Sequence, residues 1–405
     1  MFSSLIERWA AHPLVETFPL RAVTTEVMRV GKHFLDEPEL TALDRARQSL
    51  PRARGDLERR ELLARLFDVL LDKADGRYDY LTYTAMPLFP ITGSTGDPQL
   101  LRDRTVALLV ADLLVFEIGS MDDPDQPLPQ MRPDHALIEK RCRLALRASL
   151  PAARRAGIGP PAATEDGDDI ATARELVSSV FASATAAERE LLELTMQPVY
   201  TIHDEHMFLR VLQSFEATFV LLAERLRGVI DALQSTDVAT AADLLRGNDA
   251  VLHEAGLLFS LLATMQVTSF RTFRTYTEGA SAIQSEGYKT VESLCRRPDP
   301  ERLSSLPYNS VPKVQARIHS GQMTVQEVAD AVRPRLGPDD SALLAAAMAD
   351  FEDALVRWRR THHSIAVRML GDATGSGYSE GTPYLKSVIH LPVFDPANRA
   401  GDREG

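Results

Sequence analysis

Two cysteines in 405 residues are too few for a disulfide framework, and neither Cys142 nor Cys295 belongs to a CxxC or Cys/His zinc spacing. A reduced, cytoplasmic setting is the resulting expectation. Positive charge is also short. The 45 Lys and Arg against 57 Asp and Glu leave a net charge of −12, and the basic residues are scattered, which argues against a nucleic-acid partner. No window reaches the roughly 18 apolar residues of a membrane-spanning helix. At the N-terminus, "MFSSLIERWAAHPLVETF" is interrupted by Glu7, Arg8 and His12 where a signal peptide would need its apolar core. β-alternation is absent, and no repeat of fixed period stands out.

What remains is an ordinary globular composition, 44% hydrophobic and 25% charged, in a chain long enough for a large core. We expect one large helical domain with an extra module. Apolar residues recur at three- and four-residue spacing through "DLERRELLARLFDVLLDKA" (56–74) and "RDRTVALLVADLLVFEIGSM" (102–121), which predicts helices. Further helices are predicted over 136–150, 170–182, 186–196, 204–234, 238–246, 248–266 and 268–276. Others start near Pro312, cover 325–333 and run over 340–370. The Pro/Gly/Asp-rich "PAARRAGIGPPAATEDGDD" (151–169) reads as the clearest linker. The fold class is all-α, a bundle of long helices.

Three constellations carry chemistry, each with a plainer reading beside it. In "HDEH" (203–206) two histidines lie three apart on a helix, but a third ligand at a metal spacing is missing, and Asp204 and Glu205 also suit a helix start. In "SFRTFRTYTEGASAIQS" (269–285), Arg274 lies among aromatics before a turn of small residues. It could clamp a carboxylate or simply complement a helix C-terminus. The adjacent His362 and His363 follow Trp358 on a helix; neighbours are about 100° apart, so one pocket receives at most one of them. A neutral imidazole is a good haem-iron ligand, and a buried histidine satisfied by a carbonyl is the commoner alternative. Gly375, Gly377 and Gly381 would let the following loop approach a ligand closely.

Taken in order, "HDEHMFLRVLQSFE" (203–216), "LLATMQVTSFRTFRTYTEGASAIQS" (261–285) and "WRRTHHSIAVRMLGDATGSGYSEGTPYLKS" (358–387) resemble segments of the tryptophan 2,3-dioxygenase superfamily, the haem-dependent aromatic oxygenases. The resemblance covers roughly 200–390, so the chain divides into a helical extension or insertion at 1–195 and an oxygenase-like helical domain at 196–395. It implies an all-α fold, haem b, and a homo-oligomer, commonly a tetramer. The implied partners are O2 and an aromatic amino acid, and the implied reaction adds dioxygen to an indole at ferrous iron. His362, four positions after the Trp of "WRxxH", falls on the family's axial iron ligand. Arg274 falls on the arginine that binds the substrate carboxylate, and Ser376 on the threonine of "GTGG" that contacts the ammonium. Phe208 matches the aromatic that stacks on the indole, Phe270 lies on the pocket side, and Ser281 precedes Gln284 where the family reads "SGFQS".

The departures are specific. The family's distal histidine, four residues after the phenylalanine, is Leu212 here, so no catalytic acid or base is expected and neither His203 nor His206 replaces it by spacing. The loop "GTGGSSG" has become "GSGYSEG", adding Tyr378 and Glu380. The segment "GRYDYLTYTAMPLF" (76–89) is faintly similar to the family's "YGNYL", which enters a neighbouring subunit's site, yet more than a hundred residues separate it from "HDEH". The reading that follows is a haem dioxygenase of L-tryptophan or a close indole amino acid, giving an N-formylkynurenine-type product. The alternatives are a haem-dependent monooxygenase of tyrosine or a substituted tryptophan, and a non-catalytic helical haem-binding protein.

Overall fold

A computed structural model describes residues 2–89, 96–159, 168–371 and 382–395. Among them the protein is all-α: there are no strands, only isolated bridges pairing Leu14 with Arg54 and Gln130 with Ile202. No single helix among the described residues is long and apolar enough to cross a membrane. The predicted helices are present at Leu57–Leu70, Pro98–Asp122, His135–Arg155, Asp169–Ser183, Ala186–Thr195, His203–Gln234, Val238–Gly256, Val267–Thr277, Pro312–His319, Val325–Val332 and Pro338–Leu370.

Two expected boundaries differ. The helices predicted over 238–246 and 248–266 are one helix, Val238–Gly256, followed by Leu258–Leu262. Pro151 lies inside the helix His135–Arg155 instead of opening a linker. Proline lacks a donor and crowds the preceding turn, at about 3 kcal/mol in a helix interior. Burial of Ala148, Ser149, Ala152 and Ala153 on the same stretch holds the helix together. The stop comes later, where Gly157 takes φ +71° and the amides of Gly157 and Ile158 bond the carbonyls of Arg154 and Ala153. That is a left-handed glycine cap satisfying the last carbonyls.

The chain folds into two compact units built from discontinuous segments: Met1–Thr95, Asp103–Gln213 and Thr264–Ser281 in the first, Gly96–Arg102, Ser214–Ala263 and Ala282–Gly405 in the second. In the first, the N-terminal residues have a core of their own. Trp9 meets Phe18 edge-on at 4.9 Å, and Phe18 meets Phe67 at 5.3 Å, within a cluster that includes Ile6, Val23 and Leu63. Asp36 and Glu39 form a reciprocal capping box at the start of Glu37–Ser49. Gly31 is a position only glycine tolerates, since its φ is +84° and a Cβ would lie 2.5 Å from the Val199 carbonyl. This contact seats Lys32, whose amide bonds the Pro198 carbonyl.

In the second unit the helices Val238–Gly256 and Pro338–Leu370 pack along each other. The buried residues Leu344, Ala347, Met348, Phe351, Ala354, Leu355 and Trp358 form an apolar stripe of helical period.

Candidate functional site

His362 continues that stripe one turn beyond Trp358. Trp358 is fixed edge-on by Phe215 at 4.6 Å and Phe219 at 5.5 Å, and packs at 4.5 Å on Phe259. The Phe259 ring lies nearly parallel to the His362 imidazole, with centroids 6.1 Å apart. The His362 ring makes no hydrogen bond or ion pair with any described residue. Desolvation, helped by the His363 charge, pushes its pKa down to about 4, so the imidazole is neutral at pH 7. His362 and His363 are both half-buried, and as neighbours on the helix they leave it about 100° apart.

Phe208, Phe270 and Arg274 come together in the first unit. Phe208 meets Phe270 at 5.9 Å and Phe273 at 5.4 Å, and Phe270 stands edge-on to Phe273 at 5.5 Å. Phe208 and Phe270 are half-buried, whereas Phe273 is fully enclosed. Arg274 follows in the last turn of the helix Val267–Thr277, half-buried, with its guanidinium pKa pushed down by desolvation. Glu278, at φ +35°, ends the helix, and the half-buried Ser281 follows. Leu212 is buried one turn after Phe208. Ser376, Tyr378, Glu380 and the three loop glycines lie outside the described residues.

The motif "HDEH" is structural on every side chain. His203 Nε2 lies 3.3 Å from Glu117, and His206 lies 3.4 Å from Asp112 with its ring stacked on Phe116 at 4.0 Å. Asp204 accepts from Arg141 at 2.7 Å and from the Gln266 amide at 2.8 Å, the residue that opens Phe270 and Arg274's helix. Glu205 accepts from the Val199 and Tyr200 amides at 2.8 and 3.1 Å. Burial pushes its carboxyl up to about 8 against those bonds and the Lys32 charge.

Sequence reasoning missed the polar cluster behind Phe208. Tyr83 packs at 6.4 Å on Phe208 and also on Tyr78, which stands edge-on to His33 at 4.5 Å. The Tyr78 hydroxyl is buried without a hydrogen-bond partner among the described residues, the Tyr83 hydroxyl lies beside Glu205, and His33 Nε2 is 3.9 Å from Asp72. Beside them Lys32 Nζ is bound by Asp72 at 2.6 Å and by the Val69 and Thr82 carbonyls, both at 3.1 Å. The tyrosine-rich segment was visible in the sequence; Lys32 and Asp72, forty residues apart, gave no local signal.

No family model matches the chain. Curated proteins do. It is 24% identical over 225 residues to a protein named tryptophan 2,3-dioxygenase from Anaeromyxobacter dehalogenans (strain 2CP-C), covering 47% of this chain and 84% of that one. It is 23% identical over 238 residues to a protein of the same name from Shewanella woodyi (49% and 81% covered), and 26% identical over 229 residues to one from Xanthomonas oryzae pv. oryzae (47% and 76%). These similarities support a divergent relative of the tryptophan 2,3-dioxygenase superfamily. As in the resemblance read from its sequence, this dioxygenase relative matches over about half its length, and its helical fold agrees with the superfamily's.

Proposed function

We propose that the protein is a haem-dependent oxygenase acting on tryptophan or a close aromatic amino acid. The observation that carries the reading is His362, a neutral imidazole without a hydrogen bond to the described residues, in a chain whose relatives are named tryptophan 2,3-dioxygenase. Its donor chemistry fits a residue that would hold the haem iron, because a neutral ring offers a free nitrogen lone pair without first losing a proton. Haem, when bound, supplies the iron chemistry that activates dioxygen.

The other roles belong to this chain's own side chains. Arg274 holds the substrate carboxylate through a bidentate pair, and its partial desolvation strengthens that pair relative to one in water. Phe208 and Phe270 supply an aromatic surface for the substrate ring and keep water from it. Ser281 offers a further polar contact, and Ser376 a hydroxyl for the ammonium. Leu212 can neither accept the indole N–H nor move a proton, so positioning carries the catalysis; ideal orientation is worth at most roughly 7–11 kcal/mol.

Leu212 also favours a second reading, a monooxygenase of tyrosine or a modified tryptophan, because an apolar residue at 212 offers no partner specific to an indole N–H. The test is an absorption spectrum of haem-supplied protein, as purified, reduced, and with L-tryptophan, followed by product mass. A haem band perturbed by L-tryptophan and a product carrying both oxygen atoms are expected. A single added oxygen transfers the assignment to the monooxygenase, and absence of a haem band overturns both readings.

A further inference from the structure

A second constellation, independent of the oxygenase reading, lies in the second unit. A shallow cleft is lined by Glu292, Arg296, Arg297, Arg302 and Arg359 together with Leu391–Val393. One carboxylate organises it. Glu292 accepts on one oxygen from Arg302 at 2.5 Å and Arg359 at 3.3 Å, and on the other from Lys289 at 2.9 Å and the Tyr308 hydroxyl at 3.1 Å. Both oxygens are therefore saturated.

Cations converge on one anion here. Lys289, Arg302 and Arg359 share Glu292, with the buried Glu352 as a further carboxylate nearby. The Lys289 and Arg359 side chains are only 3% and 4% exposed, so bulk water screens the excess poorly. Arg359 spends its other contacts on uncharged acceptors, the Tyr288 hydroxyl at 2.7 Å and the Leu391 carbonyl at 2.6 Å. Arg297 is paired with Glu327 at 2.9 Å, but Arg296 reaches its nearest carboxylate, Asp299, only at 3.9 Å. Glu352, buried close by, accepts the Val393 amide. Burial, the largest cause, lowers the Lys289 pKa, and the Arg302 and Arg359 charges lower it further.

We infer that this cleft binds a small oxyanion of the phosphate class, held by Arg296, Arg302 and Arg359. A tetrahedral oxyanion places several acceptors on guanidinium donors at once and neutralises charge that Glu292 leaves over. The few guanidinium groups lining the cleft suit a small anion, and the chain's net negative charge of −12 argues against a polyanion such as nucleic acid.

The full chain, in phosphate- and sulfate-free buffer, would be titrated calorimetrically with inorganic phosphate at an ionic strength held by potassium chloride. Arg296→Ala and Arg296→Glu are the variants, since among the described residues the ion pair of Arg296 is the long contact to Asp299, and circular dichroism verifies their folding. Wild-type binding that weakens about tenfold in Arg296→Ala, the size of one lost charge-assisted hydrogen bond, and disappears in Arg296→Glu is the expected result. No heat with the wild-type chain, or equal affinity in both variants, overturns the proposal. Acetate binding more tightly than phosphate overturns the phosphate class. The readout needs no haem, so the oxygenase reading can fail without affecting it.

Discussion

His206 and His362 are the same residue on two long helices, and their surroundings make them opposites. His206 is stacked flat on Phe116 and faces Asp112, whose other partner, Arg210, donates at 2.7 Å. His362 has a phenylalanine ring beside it and no hydrogen bond to the described residues. Burial lowers both pKa values; only for His206 does a carboxylate oppose the shift. The difference lies in what faces the ring: a carboxylate holds one nitrogen of His206, whose Nδ1 is buried without a partner among the described residues, and no carboxylate faces His362 among them. "HDEH" looks more like a metal motif than "THHS", and it is the one consumed by packing.

The sharpest way to break the comparison is substitution. His362→Ala is expected to abolish the haem band while leaving the helical circular dichroism intact; a retained, unshifted band would remove His362 from the ligand role. Next in size is Arg274→Leu, expected to raise KM about 10- to 100-fold, as loss of a charged hydrogen-bonding pair implies. Steady-state kinetics with unchanged KM would refute the clamp. His206→Ala should behave unlike either, keeping the haem band and costing about 1–3 kcal/mol in urea unfolding through the partner left behind.

The smallest effect is a pH slope. Glu205 has its folded pKa raised from 4.5 to about 8, so the folded chain holds a proton that the unfolded chain releases between those values. That proton makes stability fall as pH rises from about 4.5 to about 8, with the loss complete above it. His362, with its pKa depressed from 6.5 to about 4, adds stability that rises over that lower interval. Glu205→Gln should therefore flatten the decline of the unfolding midpoint between pH 7 and 8, where His362 is silent. An unchanged decline would show that Glu205 is ionised in the fold.

Helices were legible because their signals are local: the stripe ending at Trp358 and the run from His203 to Gln234 carry their period in adjacent residues. Pro151 misled because a local breaker was overruled by buried alanines around it, whose packing only the folded chain reveals. Phe208, Phe270 and Arg274 were found through resemblance; the Phe208 and Phe270 rings lie 5.9 Å apart, and Arg274 follows Phe270 by one helical turn. The Tyr83–Glu205 neighbourhood was not found, since its members come from chain segments over a hundred residues apart. Nor could sequence reveal that Asp204 and Glu205 serve other segments' amides more than their own helix.

The bond from Asp204 to the Gln266 amide has a consequence for how the sequence can change. Asp204 is two-sided, receiving Arg141 on one oxygen and the first amide ahead of Arg274's helix on the other. Drift at 204 is therefore not free even though the residue touches no aromatic of the pocket. Asn at 204 would lose the charge facing Arg141, and Ala would also release the start of the helix that aims Arg274. One carboxylate thus ties Arg141 to the first turn of the helix that carries Arg274, so a change at 204 reaches the clamp without touching it.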